Sequence, residues 1–304
     1  MIFLKKQQLK QFKYFIQYIF AITIFAIIKP FPLKLTALFS GFLGKTIVYF
    51  SLKYFQKTRF EIFKKNLQII QKQQLSNGEY SKLFKQYCSY VTTVFLTTVH
   101  QNKITKEWLE KNVSKVNLNP MLDSYKNGEK VIIVSAHFGN WEIAQNYLAK
   151  VCKLPLTIMF RQQNNILLSK VFYQNRQNIQ MIEKRDKSSL KQMLSSLNNN
   201  RVLIILLDQK DKKNGSPIEF FGKKAMLPTA ISRIAIKSQA KVFTCKTTAS
   251  NFEISCEKVL DAKAFENEIE LTKEIFTTFE EWIANNPTNW YCLTHNIWKE
   301  ELKE

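Results

Sequence analysis

The pattern of apolar and polar positions gives the chain three stretches of different character. Residues 14–28 are apolar on every side, with Gln17 and Thr23 the polar exceptions; Lys5, Lys6, Lys10 and Lys13 precede them and Lys29-Pro30 follow. These 15 residues fall short of the ~20 that cross a bilayer as a helix. No small-x-small site follows that would end a signal peptide. Apolar residues resume at Leu33 and Leu35 and continue to Phe50, broken by Lys34 and Lys45. We expect 14–28 to be a membrane-inserted anchor and 31–55 a helix pair lying at the interface, its lysines reaching anionic head groups. Two buried helices of a soluble protein are the competing reading.

Beyond residue 55 the pattern becomes periodic. Residues 56–75 are basic and amphipathic, with Lys57, Arg59, Lys64 and Lys65. Apolar positions 83, 84, 87, 88, 91, 94 and 95 predict a core helix ending near His100, with that histidine solvated. Short β-branched runs then alternate with helical spacing. Strands are expected at 131–134, 156–160 and 202–207, and paired strands at 241–247 and 252–258. Helices are expected at 118–125, 141–151, 171–181, 190–197, 227–238 and 272–284. The fold class is α/β, a central mixed sheet flanked by helices, with residues 56–304 as one domain behind the 1–55 segment.

Candidate chemistry gathers where strands end. His137 follows the 131–134 strand on a strand-to-helix turn, the rim where open α/β sheets bind ligands. Glu142 lies five residues on, and a turn through Gly139 can fold its carboxylate back to one ring nitrogen. That would fix the tautomer and make the other nitrogen a general base. A satisfied structural histidine and a helix-terminus glutamate are the plain alternatives. Arg161 ends the 156–160 strand, where it could stabilise an oxyanion or grip a phosphate. Asp208-Gln209 end the 202–207 strand, where an acidic residue could order Arg161 or bind an acceptor hydroxyl. There is no GxSxG elbow.

Composition narrows the partners. The 304 residues carry a net charge of +21, which favours nucleic acid, an anionic membrane face or an acidic carrier protein. No nucleic-acid motif is present. The five cysteines form no CxxC pair and there are three histidines. We therefore expect neither a disulfide framework nor a zinc site, and a catalytic body facing a reducing compartment.

The string AHFGNWE, residues 136–142, resembles the His-x-x-x-x-Glu motif of the lipid A late acyltransferases, within the glycerol-3-phosphate acyltransferase-like superfamily. Further segments resemble that family. Asn66-Leu67 matches its Arg-…-Asn-Leu segment. Phe160-Arg161 with Asn164 matches its Tyr-Arg-…-Asn, and Arg176 falls in a matching place. Asp208-Gln209 matches its Asp-Gln, and Phe220-Phe221-Gly222 its Phe-Phe-Gly, paired aromatics that could form a lipid-facing lip or sit in the core. In the closing motif His295, Trp298 and Lys299 match, while Leu293, Asn296 and Ile297 replace a Trp and two Arg.

The resemblance implies catalytic roles for His137, Glu142 and Arg161. It implies substrate contacts for Asn140, Asn164, Arg176, Asp208, Gln209, His295 and Lys299, with no cofactor. It implies a membrane-associated acyltransferase, moving a fatty acyl chain from acyl carrier protein to a hydroxyl of a lipid A precursor on the cytoplasmic side of the inner membrane. The two missing arginines keep another lipid acceptor, a lysophospholipid or an aminolipid, as the alternative.

Overall fold

The computed structural model describes residues 2–100, 103–162, 164–173, 179–249 and 252–298. It opens with α1 (Ile2–Ile28) and α2 (Leu33–Leu43). The second runs on through π-type turns at Gly44–Val48 and Ser51–Phe55. Residues 33–55 are thus one nearly continuous helix, not the expected pair. Windows in both, Gln11–Ile28 and Leu33–Phe55, are long and apolar enough to cross a membrane. Next come α3 (Lys57–Gln71) and α4 (Asn77–Thr97). Ser76 and Glu79 start α4 by a reciprocal capping box.

α2 lies on α4 through small residues. Thr36, Ser40 and Gly44 are buried, and a Cβ on Gly44 would stand 2.5 Å from the Cys88 carbonyl oxygen and the Ser89 Cα. The opposite face of α2, with Leu38, Phe39 and Phe42, is exposed. His100, expected to be solvated, is 1 % exposed, and its Nε2 meets Thr36 Oγ1 at 2.7 Å. The helix end that looks polar in isolation is covered by α2, a partner far away in sequence.

The α/β body follows as α5 (Lys106–Asn112), β1 (Lys115–Val116), α6 (Asn119–Lys126), β2 (Val131–Ser135), α7 (Trp141–Lys150), β3 (Leu156–Phe160), α8 (Ile166–Tyr173) and β4 (Gln180–Glu183). The chain continues through α9 (Ser189–Asn198), β5 (Val202–Leu206), a β6 (Ser216–Phe220) and β7 (Lys223–Leu227) hairpin, α10 (Ala230–Ser238), β8 (Lys241–Thr247), β9 (Ile254–Asp261) and α11 (Glu268–Asn285). Seven strands form the main sheet in the order β1-β9-β8-β2-β5-β3-β4. The pairs are parallel except β8 with β9, so the sheet is mixed as expected. Successive residues of β2 serve opposite faces. Ile132 and Val134 join the core under α3, α4 and α11, while Val131 and Ile133 join the one under α5, α6 and α7.

Two helix boundaries are corrected as well. The helix predicted at 171–181 is α8, ending at Tyr173, and Gln180 and Met181 belong to β4. Pairing with β3 overrides helical spacing there, and Ile182 is buried as a strand residue. The helix expected from 227 begins at Ala230, because Leu227 closes the β6–β7 hairpin. That hairpin turns through Phe221 and Gly222, both at positive φ (56° and 73°), as a two-residue primed turn requires. The lip reading of Phe220-Phe221 gives way to the core one. Phe220 is 0 % exposed and packs on Phe276, Trp290 and Trp298.

Candidate active site

Strand register builds the centre of the site. β2 and β5 are neighbouring parallel strands with Ser135 opposite Leu206, and the Leu207 N–H extends the ladder to the Ser135 carbonyl at 2.9 Å. Two residues past each strand end stand His137 and Asp208, which the register brings side by side. His137 Nδ1 lies 2.6 Å from Asp208 Oδ1. The His137 backbone N–H (3.0 Å) and the indole N–H of Trp290 (2.7 Å) both donate to Asp208 Oδ2. Asp208 is 0 % exposed. Burial would raise its carboxyl, but the His137 ring and these donors more than offset that and hold it below the ordinary aspartate value. An ionised Asp208 keeps the ring proton on Nδ1 and leaves Nε2 as the basic nitrogen.

The turn carrying His137 is pinned from three sides. Its carbonyl accepts from the Tyr291 N–H (2.8 Å), the Gly139 N–H donates to the Asn289 carbonyl (3.0 Å), and the Tyr90 hydroxyl donates to the Gly139 carbonyl (3.0 Å). Gly139 sits at φ +60°, and a Cβ there would fall 1.5 Å from the Thr247 carbonyl oxygen. This position therefore requires glycine. Trp141 and Tyr291 stand against the imidazole at 5.2 and 5.9 Å between ring centroids.

His137 opens on a cavity of about 740 Å³. Glu142, Arg161, Asn164 and Gln209 line it with His137, as do Gln145 and Lys184, which carry no role in the sequence reading. Thr98 and Gln162 add further polar groups, and the rest of the wall is mainly apolar, with Ile158, Met159, Leu168, Ile204 and Leu206, with Val91, Val94 and Phe95 of α4, and with Phe20, Ala21, Ile24 and Phe25 of α1. A polar end carrying a base, joined to an apolar slot, suits a substrate with a reactive head and a hydrocarbon tail.

The other candidates stand around this pair. The carboxylate on the Nδ1 side of His137 is Asp208, where the sequence reading put Glu142; Glu142 faces the same cavity from the first turn of α7. Asn140 is 2 % exposed and caps α7, its side chain accepting from the Ile143 N–H and donating to Thr97 Oγ1 (both 3.4 Å). His295 stands edge-on to Tyr291 at 5.2 Å. Burial and the nearby Arg59 guanidinium push its pKa down to about 4, so it is neutral at neutral pH. Arg176 and Lys299 lie outside the described residues.

The segment around His295 is a strap across the rim, held by α3 and α4. Asn66 Nδ2 donates to the Leu293 and His295 carbonyls (2.9 and 2.8 Å), and the Arg59 guanidinium donates to the Thr294 carbonyl (3.0 Å). The Tyr87 hydroxyl donates to the Tyr291 carbonyl (2.8 Å). The Asn-Leu segment and the closing motif are thus one structural unit. Trp290 supports Asp208, 82 residues earlier, and Tyr291 flanks His137; sequence reasoning leaves both without a role, since no local signal marks an aromatic as a partner of a rim so remote in the chain.

A family model of bacterial lipid A biosynthesis acyltransferases matches residues 3–300. The chain belongs to that family. A search of curated proteins returned no match. His137, Asp208 and Cys292 each place a potential ligand atom within 4.8 Å of the others. Burial and the Asp208 charge push the Cys292 thiol well above its ordinary value.

Proposed function

We propose that this acyltransferase moves a fatty acyl group from a thioester on acyl carrier protein to a hydroxyl of a lipid A precursor. The observation that carries this reading is the His137–Asp208 pair, 2.6 Å apart, at the mouth of a largely apolar cavity. His137 Nε2 takes the proton of the acceptor hydroxyl as its oxygen attacks the thioester carbonyl. Arg161 stabilises the oxyanion of the tetrahedral intermediate. Collapse breaks the carbon–sulfur bond, and the leaving thiolate receives the proton from the imidazolium. Asp208 holds the ring and balances its transient charge, while Glu142, on the same cavity wall, aligns the acceptor hydroxyl. Asn164 and Gln209 contribute polar contacts to the substrate head.

α1 and α2 hold the enzyme on the cytoplasmic side of the inner membrane, with anionic lipid against their lysines. The carrier as donor is supported by the net charge of +21, since carriers of this kind are acidic and opposite fields speed encounter. The test compares acyl-carrier protein with acyl-CoA at equal chain length across a salt series, in detergent with a lipid A precursor. Preference for the carrier, falling steeply with ionic strength, is expected. Equal use of acyl-CoA, or indifference to salt, would defeat the carrier reading.

A different lipid acceptor is the second reading. Ile297, in the place of one family arginine, is 3 % exposed, so this position packs and does not reach a phosphate. Mass spectrometry of lipids from a deletion strain separates the two. Loss of one acyl mass from lipid A supports the first reading, and a shift confined to phospholipid or aminolipid supports the second.

A further inference from the structure

α1 joins two environments that are usually kept apart. Ala21, Ile24 and Phe25, with Phe20, form part of the cavity wall. Their spacing places them along one side of the helix. Other α1 side chains, Phe12, Phe15, Ile16 and Ile27, are exposed to at least half their area. Only 6 % of the apolar window Gln11–Ile28 is buried. One helix thickness therefore separates the cavity from whatever surrounds α1.

The helix is nonetheless fastened at defined points. Asn165 Nδ2 donates to the Tyr14 carbonyl at 2.8 Å. Lys103 Nζ donates to the carbonyls of Lys29, Pro30 and Phe31 beyond the α1 C-terminus, where a cation also complements the helix dipole. Ile28 is 3 % exposed. These contacts set the depth at which α1 presents Ala21 and Ile24 to the cavity.

We propose that the cavity face of α1, through Ala21 and Ile24, sets the length of acyl chain the enzyme accepts. The inference rests on the acyltransferase reading of the same cavity and adds a specificity element to it. The segment that seats the enzyme in lipid would then also be the gauge of its donor. A wall built from an exposed helix measures the chain by bulk at two positions. Added volume there should exclude the longest chains first, since an apolar pocket discriminates one methylene by roughly ten-fold or more.

The experiment uses the full-length protein in detergent with an equimolar series of acyl thioesters of increasing chain length. Products are read by mass spectrometry. Ala21→Phe and Ile24→Trp should shift the product ratio toward shorter chains by about ten-fold at the long end. Ile27→Trp, on the exposed side, should leave the ratio as in the wild type. Binding of a fluorescent long-chain fatty acid, which needs no transfer, provides the second readout; it should weaken in Ala21→Phe and hold in Ile27→Trp. An unchanged product ratio, or probe binding indifferent to Ala21→Phe, overturns the proposal. If the wild type transfers from no thioester while probe binding still depends on Ala21, the activity reading falls and the chain-gauging wall stands.

Discussion

β2 and the 14–28 stretch of α1 are both almost wholly apolar, yet they end in opposite surroundings. Every residue of Val131–Ser135 is buried, whereas α1 leaves most of its apolar surface open. The strand is covered because two neighbours and two helical layers complete it, and its hydrogen bonds fix which residue faces which core. The helix satisfies its own backbone and needs no such neighbours. The rim beyond β2 is consequently sensitive to single atoms, and the N-terminal helices are sensitive to volume.

Gly139→Ala should break the rim most severely. Its Cβ would collide with the Thr247 carbonyl, so a loss of about 3 kcal/mol or more in stability is expected by thermal melting, with no recoverable activity. Next is chemistry without unfolding. His137→Ala should lower transfer by ~10²–10⁴-fold with an unchanged circular dichroism spectrum, and more than half-activity would remove His137 from the mechanism. Asp208→Asn should be comparably damaging, and its combination with His137→Ala no worse than the poorer single variant, because paired groups act as a unit. A combined loss equal to the product of the two would mean that Asp208 acts elsewhere.

Volume is the test for the helices. Gly44→Val should cost about 1–3 kcal/mol by overpacking the α2–α4 contact, while Leu38→Ser on the exposed face should change the melting midpoint little but weaken vesicle binding. Equal melting shifts would erase the contrast between the two faces. The last effect is electrostatic. His295 drops from its ordinary 6.5 to about 4 in the fold, so between those values the unfolded chain binds a proton that the folded one refuses. Stability should therefore fall as pH drops from about 6.5 to about 4. His295→Gln should flatten that slope without abolishing it, because burial lowers the His100 pKa as well. An unchanged slope would place His295 in solvent.

The strands and the histidine at the rim are legible because β-branched runs are short, and β2, β3 and β5 begin and end within a residue of the expected places. The pairing of His137 with Asp208 is not legible in the same way. Local spacing favours Glu142, five residues away, and the true partner depends on the parallel register of two strands separated by α7, β3, α8, β4 and α9. Both strands end in an apolar run followed by the polar residue, which is the trace that register leaves in sequence. His100 and Phe220 mislead for opposite reasons. One looks like a polar helix end and the other like an exposed aromatic, and each is covered by an element remote in the chain. The cavity contribution of α1 is invisible because its 14–28 stretch is apolar on every side and so has no face to read.

The strap from Asn289 to His295 imposes an order on biosynthesis. α1 leaves the ribosome well before the sheet and can engage lipid while the rest of the chain is still being made. Asp208 lacks its indole donor, and the His137 turn lacks the Asn289 and Tyr291 backbone partners, until these late residues arrive. Until then the His137–Asp208 pair stands without the contacts that fix it.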